Sequence, residues 1–228
     1  MASRPVFVPK ANGSILVDII SVDFQWFAGM SISQKQKSID SLHNAYMKID
    51  SAAHPLEVSS KSKIKLGSDL SAFNLSFKTN SDLVVSVESL FQSCKVFSEG
   101  GPFKDILSKH SRDAKKDERL KKSGNLNYFE YKGDRWELEP RTSFYDWIYL
   151  NVLILNTDLI SELFCYNSFT DIEFNPKKSI NCQAYSVALF VALQQRGLLE
   201  NNQIPKREDF IRLISGYEIK SVSDGLLI

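Results

Sequence analysis

Ser86-Val87-Glu88-Ser89-Leu90-Phe91-Gln92-Ser93-Cys94-Lys95-Val96-Phe97 is the stretch on which the reading of this chain turns. Val87, Leu90, Phe91 and Cys94 fall at i, i+3, i+4 and i+7, the spacing of a buried helical stripe, so the whole stretch is expected to be one helix. Glu88 and Lys95 would then lie about 20° apart around that helix and roughly 10 Å apart along it. An acid and an amine would share one row at the border of the core-facing stripe. Such a pair can do proton-transfer and covalent chemistry. A solvated helix face, with Lys95 paired to Glu99 at i+4, is the plain alternative.

Working outward, the elements predict a mainly α (α+β) chain with a few short strands. Alternating residues over 5–27 (Ile15, Val17, Ile19, then Val22, Phe24, Trp26) predict one or two strands. Ser33 is placed to cap a helix that runs to Ile49 and buries Ile39, Leu42, Tyr46 and Ile49. Residues 50–55 read as a loop, and Leu56 to Phe77 as short extended pieces around Gly67. Asn80-Ser81-Asp82 is a turn, and Gly100-Gly101-Pro102 a stop for the 86–97 helix. Residues 103–122 read as an interrupted charged helix. Tyr128 to Leu138 reads as a hairpin about Lys132-Gly133-Asp134. Helices are expected over 142–155, 157–165, 183–196 and 206–214, with a loop over 170–181 and a frayed C-terminus. The expected organisation is an N-terminal strand–helix extension (1–55) packed on a core domain (56–214), then a tail (215–228).

Bulk properties narrow the function. At 228 residues the chain can bury one sizeable core. It has no apolar run of transmembrane length and no signal-peptide pattern at Met1-Ala2-Ser3-Arg4-Pro5. Cys94, Cys165 and Cys182 are scattered, as are His43, His54 and His110. That argues for a reducing, cytoplasmic setting and against a Cys/His metal site. A net charge of +1 offers no global grip on nucleic acid. Locally, residues 104–122 set eight Lys/Arg against four acids, which is either a solvated face or a phosphate footprint.

Leu70-Ser71-Ala72-Phe73-Asn74-Leu75, followed by Val87-Glu88 and Lys95-Val96-Phe97, resembles the turn and helix of the NADAR superfamily. Trp136 with Arg141, Asn156-Thr157-Asp158-Leu159 with Glu162-Leu163, and Asp171-Ile172-Glu173 resemble its later motifs in order. Its usual Asp-x-x-Trp-Gly is not present here. Ser33-Gln34-Lys35-Gln36-Lys37-Ser38-Ile39 and Phe174-Asn175-Pro176-Lys177-Lys178-Ser179-Ile180-Asn181-Cys182-Gln183 resemble one branch. Those are the NADAR antitoxins encoded beside a DarT-type DNA ADP-ribosyltransferase toxin. The resemblance spans roughly residues 4–214.

It implies a single helical NADAR/YbiA-like domain and an enzyme that hydrolyses the N-glycosidic bond between ADP-ribose and guanine in DNA, releasing ADP-ribose. The expected substrate is exposed, single-stranded DNA, the functional partner is a DarT-type toxin, and neither metal nor organic cofactor is implied. Glu88 and Glu173 are the implied proton-transfer groups. Lys95 is the implied nucleophile, forming a Schiff base at C1″ if burial keeps its amine neutral; an electrostatic role for its cation is the rival. Ser60, Lys61, Ser71 and Asn74 are candidates for phosphate and ribose contacts, and Phe73 and Trp136 for base stacking. Arg141, at a helix start, is a candidate phosphate ligand. Two alternatives stay open: an N-glycosidase on a small riboflavin-pathway nucleotide, and a non-catalytic module that binds ADP-ribose or the toxin.

Overall fold

The computed structural model describes residues 1–177 and 179–218. The frayed tail expected over 215–228 therefore lies largely outside the described residues.

The N-terminal segment forms two antiparallel strands, β1 (Ala2–Pro9) and β2 (Val17–Phe24), in register from Ala2↔Phe24 to Pro9↔Val17, and the alternation from Ile15 to Trp26 centres on β2. Helix α1 (Ile32–Ile49) follows. Its cap is Ser31, not Ser33: the Ser31 hydroxyl accepts the Gln34 N–H at 3.3 Å. Ile39, Leu42 and Tyr46 are buried as expected, but Ile49 is exposed, because the helix ends there and the last turn leaves the sheet.

Strand β3 (Pro55–Glu57) leads to a short helix, α2 (Lys65–Asp69), inside the stretch expected to be extended. Gly67 sits in that helix rather than in a turn. A Cβ there would lie 2.0 Å from the Glu57 carbonyl oxygen, so glycine lets α2 press against β3. Strands β4 (Ser76–Lys78) and β5 (Val84–Ser86) form a hairpin around the 79–82 turn.

The decisive stretch is not one helix. Helix α3 (Val87–Ser93) begins at Ser86, whose hydroxyl accepts the Ser89 N–H at 3.0 Å. It stops at Cys94. Lys95–Phe97 is strand β6, paired with β7 (Leu126–Tyr131), which in turn pairs with β8 (Asp134–Trp136). The β-branched Val96 and aromatic Phe97 suit a pleated surface, and a partner strand is there to meet them. The apolar stripe survives: Val87, Leu90, Phe91 and Cys94 are all buried. Gly100-Gly101-Pro102 consequently ends a strand, not a helix, with the Phe97 N–H donating to the Gly100 carbonyl at 2.7 Å.

The charged segment folds as a 3-10 turn (Lys104–Ser108) and two short helices, α4 (Ser111–Lys115) and α5 (Arg119–Lys122). Helices α6 (Ser143–Ile154) and α7 (Thr157–Leu163) follow, then strand β9 (Ser168–Thr170), α8 (Gln183–Gln195) and α9 (Arg207–Ser215). Strand β9 joins the halves of the chain. It pairs antiparallel with β1 at Phe7↔Phe169 and parallel with β3 at Leu56↔Phe169, giving the sheet order β2-β1-β9-β3.

Two cores flank this sheet. On one face Val6, Val22 and Phe24 pack with Ile39, Leu42 and Tyr46 of α1 and with Ile172. On the other, Phe7 and Phe169 pack against α8, whose Ala184 and Val187–Leu193 are all buried. A helix apolar all round belongs inside a domain, and α8 occupies that place beside α6. The result is an α+β architecture in which the first two strands complete the sheet carrying β9 and the loop that follows it.

Candidate active site

The turn Leu70–Leu75, the first turn of α3, the start of β6 and the 171–181 loop converge on one cleft of about 270 Å³. Hydrogen bonds fix this convergence. The Glu88 N–H donates to the Ala72 carbonyl and the Val87 N–H to that of Leu75, both at 2.9 Å. The Ala72 N–H donates to Gln183 Oε1 at 2.7 Å, tying the turn to the head of α8. The Tyr149 hydroxyl donates to the Leu70 carbonyl at 2.5 Å. A backbone turn is thereby clamped between two buried helices, which holds the side chains around it at defined places.

Glu88, Lys95, Glu173 and Phe73 all line this cleft. Glu88 is buried, and the Gln92 side-chain amide donates to its Oε1 at 2.8 Å. The other end of that amide, Oε1, is buried with no hydrogen-bond partner among the described residues.

Lys95 places Nζ 4.7 Å from the centre of the Phe91 ring. Its pKa is lowered to about 8, first by burial and then by the neighbouring Lys115 cation, against the opposing pull of Glu88. Because Lys95 heads a strand, the i+4 helix pairing with Glu99 has no helix on which to form. Glu173 is less enclosed, at 43% exposure, and pairs with Lys35 at 3.0 Å. Lys35 in turn stands 4.8 Å from the Trp26 ring centre, so the N-terminal segment braces one edge of the cleft.

The other candidates scatter. Trp136 is fully buried in the core, with Phe144 at 5.3 Å and Trp147 at 5.1 Å between ring centres, and does not line the cleft. Its size and apolar surface are better satisfied by those rings than by water. Ser71 is wholly buried, and its Oγ has no hydrogen-bond partner among the described residues. Asn74 turns the other way, donating to the Ser68 carbonyl at 2.9 Å, and borders a separate surface hollow beside Asp158. Ser60 and Lys61 lie outside the cleft wall, where the Lys61 carbonyl accepts from Gln36 of α1 at 3.4 Å. Arg141 is exposed, bonds Glu139 at 3.2 Å, and sits on the rim of a second cavity next to the cleft.

The structure adds groups that the motifs did not mark. Asp171 lines the cleft beside Glu173, and its Oδ1 accepts the N–H groups of Glu173 and Phe174 at 3.0 and 3.2 Å. Behind it lies Glu57 at the end of β3. Glu57 accepts from the Ser59 hydroxyl at 2.6 Å, the Thr170 hydroxyl at 2.7 Å and the Ile172 N–H at 2.9 Å. Burial raises both carboxyls above the ordinary carboxylate range, and for Glu57 the charge of Asp171 adds to the effect. Two enclosed carboxyls that cannot both ionise cheaply favour keeping one proton between them, with Asp171 on the cleft wall and Glu57 behind it. The available signal was Glu57 itself, an acid within the apolar run Pro55-Leu56-Glu57-Val58.

Lys115 is the second addition. Three of the eight cations of the charged segment are paired within it: Lys109 meets Asp117 at 2.6 Å, Arg119 meets Asp105 and Asp117, and Lys122 meets Glu118. Lys115 instead reaches the cleft, 5.0 Å from the Phe73 ring centre.

The arrangement thus combines a half-buried amine of reduced basicity, two buried carboxyls of raised pKa, a second cation and amide groups. Among the described residues no group of three or more His, Cys, Asp or Glu is placed to hold a metal ion, and no helix is long and apolar enough to cross a membrane. Compared with known families, residues 2–224 match the model described as DarT1-associated NADAR antitoxin. No curated protein matches the chain.

Proposed function

This chain belongs to the DarT1-associated NADAR antitoxin family, and from that membership we propose that it is an ADP-ribosyl glycohydrolase. Its substrate is ADP-ribose linked to guanine in DNA, in exposed single-stranded form, and its action reverses the modification made by a DarT-type toxin. The observation that carries the reading is Lys95: a half-buried amine with a pKa near 8 in the same cleft as Glu88, Glu173 and Asp171.

The chemistry follows from those groups. The lone pair of neutral Lys95 forms a bond to C1″. The C1″–guanine bond breaks, its electron pair goes to the base nitrogen, and a protonated carboxyl supplies the proton; Asp171 is suited to this by its raised pKa. Opening of the C1″–O4″ bond, with the amine proton passing to O4″, leaves an imine between Lys95 and C1″. Water adds to the imine carbon, aided by a carboxylate that takes its proton, and collapse of the adduct returns the free amine and ADP-ribose. Glu88 orients the amine, and Glu173, held by Lys35, is placed for the ribose hydroxyls. Lys115 supplies positive charge for the diphosphate.

The direct experiment is release of free ADP-ribose from a guanine-ADP-ribosylated oligonucleotide, with borohydride added during turnover. Release with a reduced adduct on Lys95 supports the reading. Wild-type rates in both Lys95→Ala and Glu88→Ala would remove these residues from the mechanism. Tight binding of ADP-ribose without release would point to a sequestering antitoxin instead.

A further inference from the structure

Lys95, Phe91, Tyr145, Ile180 and Asn181 line not one cavity but two. The second, about 320 Å³, is not lined by Glu88, Asp171 or Glu173. Its chemistry differs sharply from that of the cleft. The floor is a packed aromatic cluster: Phe129 and Phe144 stack at 4.7 Å, Phe91 lies 5.3 Å from Phe129, and Tyr145 meets Phe91 edge-on at 5.1 Å. Above that floor, Leu138 is half-exposed at the opening, and Glu139 and Arg141 form a charged rim. The loop that carries the rim is anchored, because the Thr142 hydroxyl donates to the buried Asp146 at 2.6 Å, and Asp146 also accepts from Ser186 at 2.6 Å.

A glycohydrolase needs two differently built chambers on either side of its reacting carbon, one for the sugar and one for the leaving base. We propose that the second cavity is the base subsite, with the guanine ring over the aromatic floor and Glu139 and Arg141 at its edge. This rests on the glycohydrolase reading above and adds to it the group that selects the base.

Glu139 already accepts from the Arg141 N–H and Nε at 3.0 and 3.2 Å, one on each oxygen. Each carboxylate oxygen keeps a lone pair. Guanine offers N1–H to a carboxylate and O6 to a guanidinium. Adenine, with an unprotonated N1 and an amino group at C6, inverts both contacts. A base taken out of its stack is read in this way, by its edge and by flat apolar contact. The polar cleft, which shares Lys95, then takes the ribose and diphosphate.

Two variants of the full-length protein test this, each with two readouts: turnover of a guanine-ADP-ribosylated oligonucleotide and calorimetric titration with free ADP-ribose. Leu138→Trp fills the cavity from its open side, where the fold tolerates a larger side chain. It is expected to lower kcat/KM tenfold or more while leaving the ADP-ribose Kd within about twofold. Glu139→Gln is expected to raise KM on the order of tenfold, again without weakening ADP-ribose. Parallel loss of ADP-ribose binding in Leu138→Trp would overturn the assignment and give this cavity to the adenosine end. Unchanged turnover in both variants would overturn it as well. Absence of turnover in the wild type would instead overturn the glycohydrolase reading, before either variant is compared.

Discussion

Lys95 Nζ lies 4.7 Å from the centre of the Phe91 ring, and this contact is the hinge between the polar cleft and the aromatic cavity. A ring face favours the charged amine, as does Glu88, yet burial outweighs both and the pKa falls to about 8. A larger share of the amine is thereby neutral than in a free lysine at the same pH.

Lys95 therefore costs stability near neutral pH. Its folded pKa is below its unfolded value of about 10.5, so folding at neutral pH disfavours the bound proton. The penalty is absent above about 10.5, grows as pH falls toward about 8, and is full below that. Lys95→Met removes it. The variant is expected to melt several degrees higher than wild type at pH 7, at about 2–4 °C per kcal/mol for a domain of this size. The gap should close as the pH is raised toward 10, and differential scanning calorimetry across that range checks it.

Lys115 pushes the Lys95 pKa down through like-charge repulsion. Lys115→Met should move the basic limb of the pH–rate profile to higher pH, because a smaller share of Lys95 is neutral at any given pH. Lys115→Arg restores the charge and should restore the limb. A profile that does not move would assign Lys115 to anion binding alone, visible as a raised KM.

Glu57 and Asp171 destabilise each other's ionised forms. Their folded pKa values are raised, so the stability they contribute is fully present below the ordinary carboxylate range and is lost as pH rises through neutrality. Glu57→Gln removes one charge. It should flatten that loss and shift the limb of the rate profile governed by Asp171 to lower pH. Glu57→Ala is different in kind. It leaves the Ile172 N–H and the hydroxyls of Ser59 and Thr170 without their acceptor, and should cost roughly 2–4 kcal/mol by chemical denaturation.

Gly67 links packing to the site. A methyl group there would lie 2.0 Å from the Glu57 carbonyl oxygen, so Gly67→Ala must push α2 away from β3. The expected cost is about 2–3 kcal/mol. Activity should fall more than the folded fraction does, because β3 carries Glu57, which stands behind the cleft-lining Asp171. Equal losses in the two measurements would separate this contact from the site.

Local pattern determined a good deal of this protein. Period-2 alternation marked β2, and apolar density marked α6, because burial of side chains follows the geometry of each element whatever packs against it. Ordered motifs pointed to Glu88, Lys95 and Glu173, three groups that the fold brings to one cleft. The residues of the i, i+3, i+4 stripe are buried as expected, but so are the polar residues of α3 between them, and the stretch continues past Cys94 as a strand. Short apolar runs are ambiguous on their own, and only pairing of Val96 with Tyr128 on β7 decided the outcome. The same holds for function. Trp136 and Phe73 are equivalent aromatics in sequence, yet Phe144 and Trp147 enclose the first while the second faces the cleft. Glu57 and Asp171 are more than a hundred residues apart, and their mutual repulsion exists only because β3 and β9 lie side by side. Residue type sets which chemistry a side chain can do; its desolvation and its charged neighbours come from chain segments distant in sequence, so only the tertiary structure sets the proton affinities on which that chemistry runs.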